Sequence, residues 1–315
     1  MTLPSITYLV TIYNKAPYIE GVLAAVRDQR GAFARQVVLV DDGSTDGSAE
    51  IASRVIADWP EALLIRQPNC GPSVAVNRGL AVARMKFTQI VDGDDILAPY
   101  ASQLLAEAAL ASGCGAVYAR NTWYGSPEEI RFPPEPQGVE VAVMADPLYD
   151  VIRIGHAGGS TYILDTALFR RVGGCDERVF VQDQSIPQRM AFVTRIGLVD
   201  HIVCMGPRDE PGRLMKDPVQ QTHDQSLTAL CTLRDHAGLP RRIRRLVQKQ
   251  VTGRAWKWAT RHNGATVLSR EFWLFLAARL PGVRFSDETL AGTLEAFRRR
   301  HPIRLMPAPS EVGLG

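Results

Sequence analysis

The chain has 315 residues, of which 46% are hydrophobic and 22% are charged, and its formal net charge is +3. This length allows one large domain with an accessory region or two modest domains, and the weak positive charge does not indicate a nucleic-acid partner. The five cysteines are odd in number and form no CxxC pair, which argues against a disulfide framework or a zinc knuckle and favours a reducing compartment.

The first hundred residues alternate strands and helices. Apolar, β-branched runs predict strands at 6–12, 37–40, 63–66 and 87–91, and apolar residues at helical spacing predict helices at 18–27, near 51–56 and at 74–83. This alternation predicts a parallel α/β sheet with right-handed crossovers. Ligands of such sheets bind at the carboxyl ends of the strands.

Acidic residues follow two of these strands, at the predicted ligand edge. Asp41 and Asp42 end the second strand, and Asp92, Asp94 and Asp95 end the fourth. Crowded carboxylates repel each other and need water, basic partners or a cation, and hard oxygen ligands favour Mg²⁺ or Mn²⁺. One such cluster alone could be a solvated acidic turn, but two at one edge favour a nucleotide and metal site.

Two common nucleotide-binding motifs are missing from the chain. No GxGxxG follows the first strand, and GxxxxGK[ST] occurs nowhere in the sequence. A Rossmann dehydrogenase or a P-loop enzyme is therefore not expected.

Four segments in this order resemble the nucleotide-sugar-binding half of the family 2 glycosyltransferases: VTIYNKAPYI, VVLVDDGSTDGSAEIA, NCGPSVAVNRGLAVAR and IVDGDDILAP. The resemblance implies the GT-A fold, a mixed and mainly parallel α/β sheet flanked by helices. It also implies that Thr11 and Asp42 contact the nucleotide base, that Asp92 contacts the ribose and the metal, and that Asp94 contacts the metal on the diphosphate. The donor-binding residues expected from it are Thr11, Tyr13, Asp41, Asp42, Asn77, Asp92, Gly93, Gly158 and Gly159.

One position in the third helix departs from the family pattern. Family members often have an arginine just before Asn77, whereas this chain has Val76 there and Arg78 after it. The resemblance therefore does not assign an arginine of this helix to the diphosphate.

The segment FRRVGGCDERVFVQDQSIPQR, residues 169–189, carries a second resemblance. Gly173 and Gly174 are predicted to end a short helix, and a new helix is predicted to start at Gln182 and Asp183. Family members commonly have a Glu-Asp pair here whose aspartate is the catalytic base, which implies that Asp183 is the base. A helix N-terminus lowers a carboxylate's pKa, and Gln182 in place of Glu removes one charge. Without the resemblance, Asp183 reads as a helix cap.

Several further residues resemble parts of the donor site. Gly158 and Gly159 resemble the glycine-rich loop that lies against the donor sugar, with His156 adjacent. His223, in the polar stretch QQTHDQS, resembles a late histidine that completes the metal shell, so the predicted metal ligands are Asp92, Asp94 and His223. His156 and His223 could equally be loop or surface residues. Arg213 and Lys216 could instead neutralise phosphate.

Basic residues mark the C-terminal part of the chain. Residues 239–262 contain eight Lys or Arg and no acidic residue, with apolar residues at helical spacing. Such a helix either lies on an anionic membrane or packs on the catalytic domain with a solvated basic face. We expect a catalytic domain at 1–222, a helical region at 223–300 and a flexible tail at 301–315.

The function implied is an inverting, metal-dependent transfer of sugar from a nucleotide-diphosphate donor, a UDP-sugar first, to a saccharide or lipid-linked acceptor, in cell-surface polysaccharide or glycolipid synthesis. The expected location is the cytoplasm, with peripheral contact at the inner face of the membrane, because no run of about 20 uncharged apolar residues could span a bilayer. Two alternatives stay open: a sugar-phosphate nucleotidyltransferase and a non-catalytic nucleotide-sugar-binding module.

Overall fold

The computed structural model describes residues 4–155, 158–208 and 217–305. Its described residues form one mixed sheet of nine strands, ordered β3-β2-β1-β4-β8-β6-β9-β5, with β7 paired to β9. The strands are β1 (Ser5–Ile12), β2 (Ala34–Asp41), β3 (Ala62–Arg66), β4 (Phe87–Asp92), β5 (Ile96–Leu97), β6 (Ala116–Tyr124), β7 (Ala142–Val143), β8 (Tyr162–Asp165) and β9 (Ile196–Pro207). This arrangement confirms the predicted mixed α/β fold.

The parallel part of the sheet matches the prediction for the first hundred residues. Strands β3, β2, β1 and β4 are neighbours and pair in parallel. Helices α1 (Ile19–Arg27), α2 (Ser48–Val55) and α3 (Pro72–Val82) connect them. The carboxyl ends of β1, β2 and β4 therefore meet at one edge, as expected of crossover connections.

The second part of the sheet was largely missed. Residues after Tyr118 were expected to be irregular, but β6 continues to Tyr124 and pairs with the twelve-residue strand β9. A short 3-10 helix, Pro127–Glu129, and a loop follow β6. Strand β8 pairs antiparallel with both β4 and β6, which joins the two parts.

Helices cover both faces of the sheet, so alternate side chains of β1 are buried in different layers. Tyr8 and Val10 pack in the layer that contains α1 and α4 (Ala101–Ser112). Leu9 packs on the other side with α3, α6 (Thr166–Arg171) and α7 (Gln182–Met190). A strand buried on both faces is expected to be continuously apolar, as β1 is.

The remaining helices pack behind α7. They are α5 (Pro147–Ile154), α8 (Pro218–Asp235), α9 (Arg241–His262), α10 (Arg270–Ala277), α11 (Asp287–Ala291) and α12 (Glu295–Arg298), with a 3-10 turn at Gly292–Leu294. The predicted boundary at 222/223 falls inside α8, and the predicted tail is described only as far as residue 305. Among the described helices, none is long and apolar enough to cross a membrane.

Helix α9 does not offer an apolar face to a membrane. Its apolar stripe, including Ile243, Val247 and Val251, is buried against α5 and α8. Of the two alternatives for residues 239–262, the described structure supports packing on the rest of the chain, because the helix buries its apolar side there.

Candidate active site

Three strand ends bring the predicted residues together. In the sheet register Thr11 lies beside Val40 of β2 and Asp92 of β4, and Ile12 lies beside Asp41. The acidic residues of β2 and β4 thus flank the end of β1, which is the edge where open α/β sheets bind ligands.

The turn after β4 is tightly packed against the end of β1. The Asp95 N–H donates to the Asp92 carbonyl at 3.0 Å, which closes the turn. A Cβ on Gly93 would come within 2.8 Å of the Thr11 carbonyl oxygen, so glycine is needed for this close approach. Asp94 and Asp95 belong to this turn, and both are buried.

Lys15 is a member of this site that the sequence prediction missed. Its Nζ lies 2.8 Å from Oδ2 of the buried Asp94. Lys15 belongs to the loop directly after β1. Its position at the end of a strand could have indicated, from the sequence, that it is part of the site. A cation is therefore already held by one of the predicted metal ligands.

The segment after residue 157 forms a cradle for Asp92. The Asp92 N–H donates to Ser160 Oγ at 2.9 Å. A Cβ on Gly159 would come within 2.2 Å of Asp92 Oδ2, so any larger residue would displace the carboxylate. Gly158 precedes this contact, while His156 lies outside the described residues. The glycine pair thus lies at the predicted site.

Gln182 links the end of β4 to the start of α7. Its Nε2 donates to Asp92 Oδ1 at 3.2 Å, and its buried Oε1 has no hydrogen-bond partner among the described residues. Because a glutamate at this position would place a second carboxylate against Asp92, the amide is the side chain that suits this contact.

Asp183 is the next residue, in the first turn of α7 as predicted, and it is buried. Its Oδ1 has no hydrogen-bond partner in the described part of the chain. Burial, and then the nearby charge of Asp92, raise the pKa of Asp183 to about 7. The helix N-terminus was expected to lower the pKa of Asp183. Removal of the carboxylate from water has the larger effect and raises that pKa instead.

The charge of Asp183 affects two buried tyrosines, Tyr118 and Tyr162. The rings of Tyr118 and Tyr162 are 5.1 Å apart, and both side chains are buried. Burial, followed by the charge of Asp183, raises the pKa of Tyr162 well above its usual value. Both tyrosines are therefore neutral at physiological pH and add no charge near the carboxylate.

Helix α8 fixes the backbone at the start of α7. The Val181 N–H donates to Asp224 Oδ2 at 2.8 Å, and Val181 is the residue that precedes α7. The other oxygen of Asp224 accepts from Gln220 and lies 2.8 Å from His223 Nδ1. The carboxylate of Asp224 thus positions the backbone that carries Asp183.

His223 does not lie where the sequence placed it. It was expected in a polar loop, but it is fully buried in α8. Its Nδ1 contacts Asp224, its Nε2 lies 3.3 Å from the Arg298 guanidinium, and the ring packs edge-on against Phe297. Both ring nitrogens therefore have protein partners. Arg213 and Lys216 lie outside the described residues.

The Asp42 carboxylate is hydrogen-bonded to the loop before α3. Its Oδ1 accepts from the Gln67 side chain and from the Cys70 N–H, each at 2.8 Å, and its Oδ2 accepts from the Gly71 N–H at 2.9 Å. Burial raises the pKa of Asp42 despite these bonds. Asp41, also buried, accepts a long bond from the Ser44 N–H.

Asn77 and Tyr13 differ in what surrounds them. The Asn77 amide bonds the Cys175 backbone in both directions and also donates to Glu177. Asn77 thus fastens α3 to the loop that follows α6, a role the sequence did not indicate. The neighbouring Val76 is buried in the core, whereas Tyr13 is largely exposed beside the strand edge.

The residues at this edge fit a hard divalent cation. No group of three or more His, Cys, Asp or Glu within the described ranges has metal-holding geometry. Magnesium and manganese usually bind through one or two protein carboxylates together with substrate phosphates. Asp92 and Asp94 could supply the two carboxylates. The Lys15 ammonium on Asp94 is a protein cation in the same place, and the glycine cradle leaves the Asp92 carboxylate room.

Comparison with known proteins places this geometry in context. Residues 7–171, slightly more than half of the chain, match the family model described as Glycosyl transferase family 2. The uncharacterized glycosyltransferase YibD of Escherichia coli (strain K12) is 30% identical over 118 residues, which is 38% of this chain and 34% of that protein. The chain spans about a third of the length of the curated relatives it matches.

Solved structures share the fold over most of the chain. TarS 1-349 of S. aureus in complex with UDP-GlcNAc has a TM-score of 0.61 at 18% identity and covers 87% of this chain and 79% of its own. The mannosyltransferase PcManGT from Pyrobaculum calidifontis, in complex with GDP-Man and Mn²⁺, has a TM-score of 0.62 at 18% identity, with coverages of 95% and 87%. At this identity the likeness shows a common GT-A fold. Because the family model matches more than half of its length, the chain belongs to glycosyl transferase family 2.

Proposed function

We propose that this glycosyltransferase moves a sugar from a nucleoside-diphosphate donor to an acceptor hydroxyl with inversion at the anomeric carbon, and that Asp183 is the base. One observation carries the proposal most directly. Asp183 is a buried carboxylate with an oxygen that lacks a described partner and a pKa of about 7, beside the strand end that carries Asp92. A general base is most effective when its pKa lies near the working pH.

Asp183 takes the proton that the acceptor hydroxyl loses. As that hydroxyl oxygen bonds to the anomeric carbon, the bond from this carbon to the diphosphate oxygen breaks on the opposite face. The proton resides on Asp183 and the electron pair leaves with the nucleoside diphosphate. A single displacement of this kind inverts the configuration.

Asp92 and Asp94 are the residues proposed to hold Mg²⁺ or Mn²⁺, which when bound neutralises the charge on the leaving diphosphate. Gln182 orients Asp92 through its amide without adding a charge. Lys15 supplies a positive charge at Asp94 and can contribute to the same neutralisation. The predicted assignment of His223 to the metal gains no support, because both of its ring nitrogens are engaged elsewhere.

The donor is proposed to be a nucleotide sugar, and UDP-sugars are the first to test. The two structural neighbours are described with UDP-GlcNAc and with GDP-Man, which supports a nucleotide sugar as the donor class. The identity of the donor's nucleobase is to be determined by experiment. The proposed acceptor is a saccharide or a lipid-linked saccharide, used in the synthesis of a cell-surface polysaccharide or glycolipid.

Calorimetric titration of UDP-, GDP-, dTDP- and CMP-sugars, with and without Mn²⁺, tests the donor site. We expect one donor to bind in a Mn²⁺-dependent way and Asp94→Ala to lose that binding. Asp183→Asn should bind the donor normally and fail to transfer sugar. Donor binding without turnover on any acceptor would favour a binding module, and release of pyrophosphate from a nucleoside triphosphate and a sugar phosphate would favour a nucleotidyltransferase.

A further inference from the structure

Large exposed apolar side chains are concentrated in α10 and in the residues directly before and after it. Five of the exposed ones fall between residues 267 and 280, and the other seven are scattered over the described chain from Tyr13 to Leu305. Leu268 is 88% exposed and Trp273 is 56% exposed. We call these five side chains the α10 patch: Val267, Leu268, Trp273, Leu276 and Leu280. Such a concentration marks an interaction surface, whereas scattered apolar residues do not.

The geometry of α10 explains why one of its sides is uncovered. Phe272 and Phe275 pack against Trp256 of α9, at ring distances of 5.2 and 6.3 Å, and Ala278 is buried. Trp273 and Leu276 are three residues apart and therefore share a second side of the helix, about 100° around from the side that carries Phe272 and Phe275. One side of the helix therefore packs against α9. The apolar side chains of Trp273 and Leu276 remain exposed in the described structure.

Basic residues outnumber acidic ones in the part of the sequence that contains the α10 patch, although the exposed Asp287 and Glu288 of α11 follow it directly. Residues 236–286 contain eleven Lys or Arg and one acidic residue, Glu271. Glu271 is buried and forms an ion pair with Arg299 at 2.8 Å, so it presents no negative charge to a partner. Arg270 begins α10, and Arg245 of α9 donates to the Arg279 carbonyl just after its end. Exposed arginines therefore lie at both ends of the apolar face.

We propose that the α10 patch docks on an anionic lipid surface. Tryptophan and leucine side chains flanked by arginines are suited to the boundary between headgroups and acyl chains, where the basic groups meet anionic lipids. A second copy of this chain would bring the same arginines face to face, and that like-charge contact is unfavourable. The docking surface is α10 with its preceding turn, and α9 supplies basic residues to it.

Vesicle binding by the 315-residue chain tests this proposal independently of sugar transfer. The probes are vesicles of phosphatidylcholine alone and vesicles that also contain phosphatidylglycerol, with co-sedimentation and tryptophan fluorescence as readouts. We expect binding to the anionic vesicles only. Trp273→Ser combined with Leu276→Ser should lower the partition coefficient by about tenfold or more, because both apolar side chains leave the interface. Arg245→Gln combined with Arg270→Gln should lower it by about tenfold at low salt.

The matched control is Leu63→Ser combined with Leu110→Ser, which removes exposed leucines from the catalytic domain. This control should bind vesicles as the unaltered chain does. Equal midpoints of urea denaturation for all variants would show that each is folded. The proposal is overturned if the unaltered chain ignores anionic vesicles, or if the serine variants bind them normally. It is also overturned if the patch instead mediates a dimer that the Trp273 and Leu276 substitutions dissociate without any effect on vesicle binding.

Discussion

Replacing Asp183 with asparagine should stabilise the folded protein at neutral and alkaline pH while it abolishes transfer. The ionised carboxylate is buried, and one of its oxygens lacks a hydrogen-bond partner in the described structure. Asparagine has nearly the same shape and no charge, so the cost of holding a buried negative charge near Asp92 disappears. A site optimised for proton transfer is commonly destabilising in this way.

The size of the effect follows from the raised pKa. The shift from 3.8 to about 7 corresponds to a ceiling of about 4 kcal/mol in the free energy of unfolding. The buried asparagine amide has its own desolvation cost, so we expect a net gain of about 2 kcal/mol at about pH 8. Because the pKa of Asp183 is raised in the folded state, its carboxyl group does not lower the free energy of unfolding well below pH 3.8. The destabilisation grows as the pH rises towards 7. Between about pH 8 and pH 5 this destabilisation falls by more than about 2 kcal/mol, so the advantage of asparagine should disappear at about pH 5.

Urea denaturation at both pH values, without divalent cation, measures this difference. The cation is omitted because a positive charge on Asp92 would lower the pKa of Asp183. Asp200→Asn is the matched control, since that side chain is 86% exposed and its loss should change stability little at either pH. The reasoning is refuted if Asp183→Asn is no more stable than the unaltered chain at the higher pH, or if the difference does not depend on pH.

Three further substitutions test the candidate site and the contacts that support it. Gln182→Glu should place a second carboxylate beside the base and move the acidic limb of the kcat/KM profile up by about one pH unit, and an unchanged profile would contradict this. Gly159→Ala should weaken Mn²⁺-dependent donor binding by about tenfold, because the new Cβ would displace Asp92, whereas Gly138→Ala, with nothing within 4 Å, should not. Asn77→Ala should lower the free energy of unfolding by about 2 kcal/mol in urea denaturation, and an unaltered midpoint would show that its backbone bonds contribute nothing.

Local patterns were sufficient for the first half of the sheet. The apolar runs of β1 to β4 and the helical spacing between them are properties of short segments, so these elements were predictable, as was the shared edge of Asp41 and Asp92. Strand β9 was missed because Asp200 and His201 interrupt its apolar pattern. Its pairing with β6 depends on residues that are distant in the chain.

The remaining features of the site depend on burial that no local pattern reveals. The stretch around His223 is polar in sequence and was read as a loop, yet it is buried because Gln220, His223 and Asp224 satisfy one another. The raised pKa of Asp183 likewise arises from packing in three dimensions. The family model ends at residue 171, so both Gln182 and Asp183 lie beyond the matched segment.

The contact between α8 and the start of α7 has a consequence for chimeric enzymes. Val181 is held by Asp224, whose neighbour His223 contacts Arg298 near the end of the described chain. A chimera that joins this sheet to the helical region of another protein would therefore lose the contact that anchors Asp183, the proposed base, even with every residue of the sheet unchanged. Exchange of acceptor-specific parts between such enzymes should succeed only when α7 and α8 are transplanted as a pair.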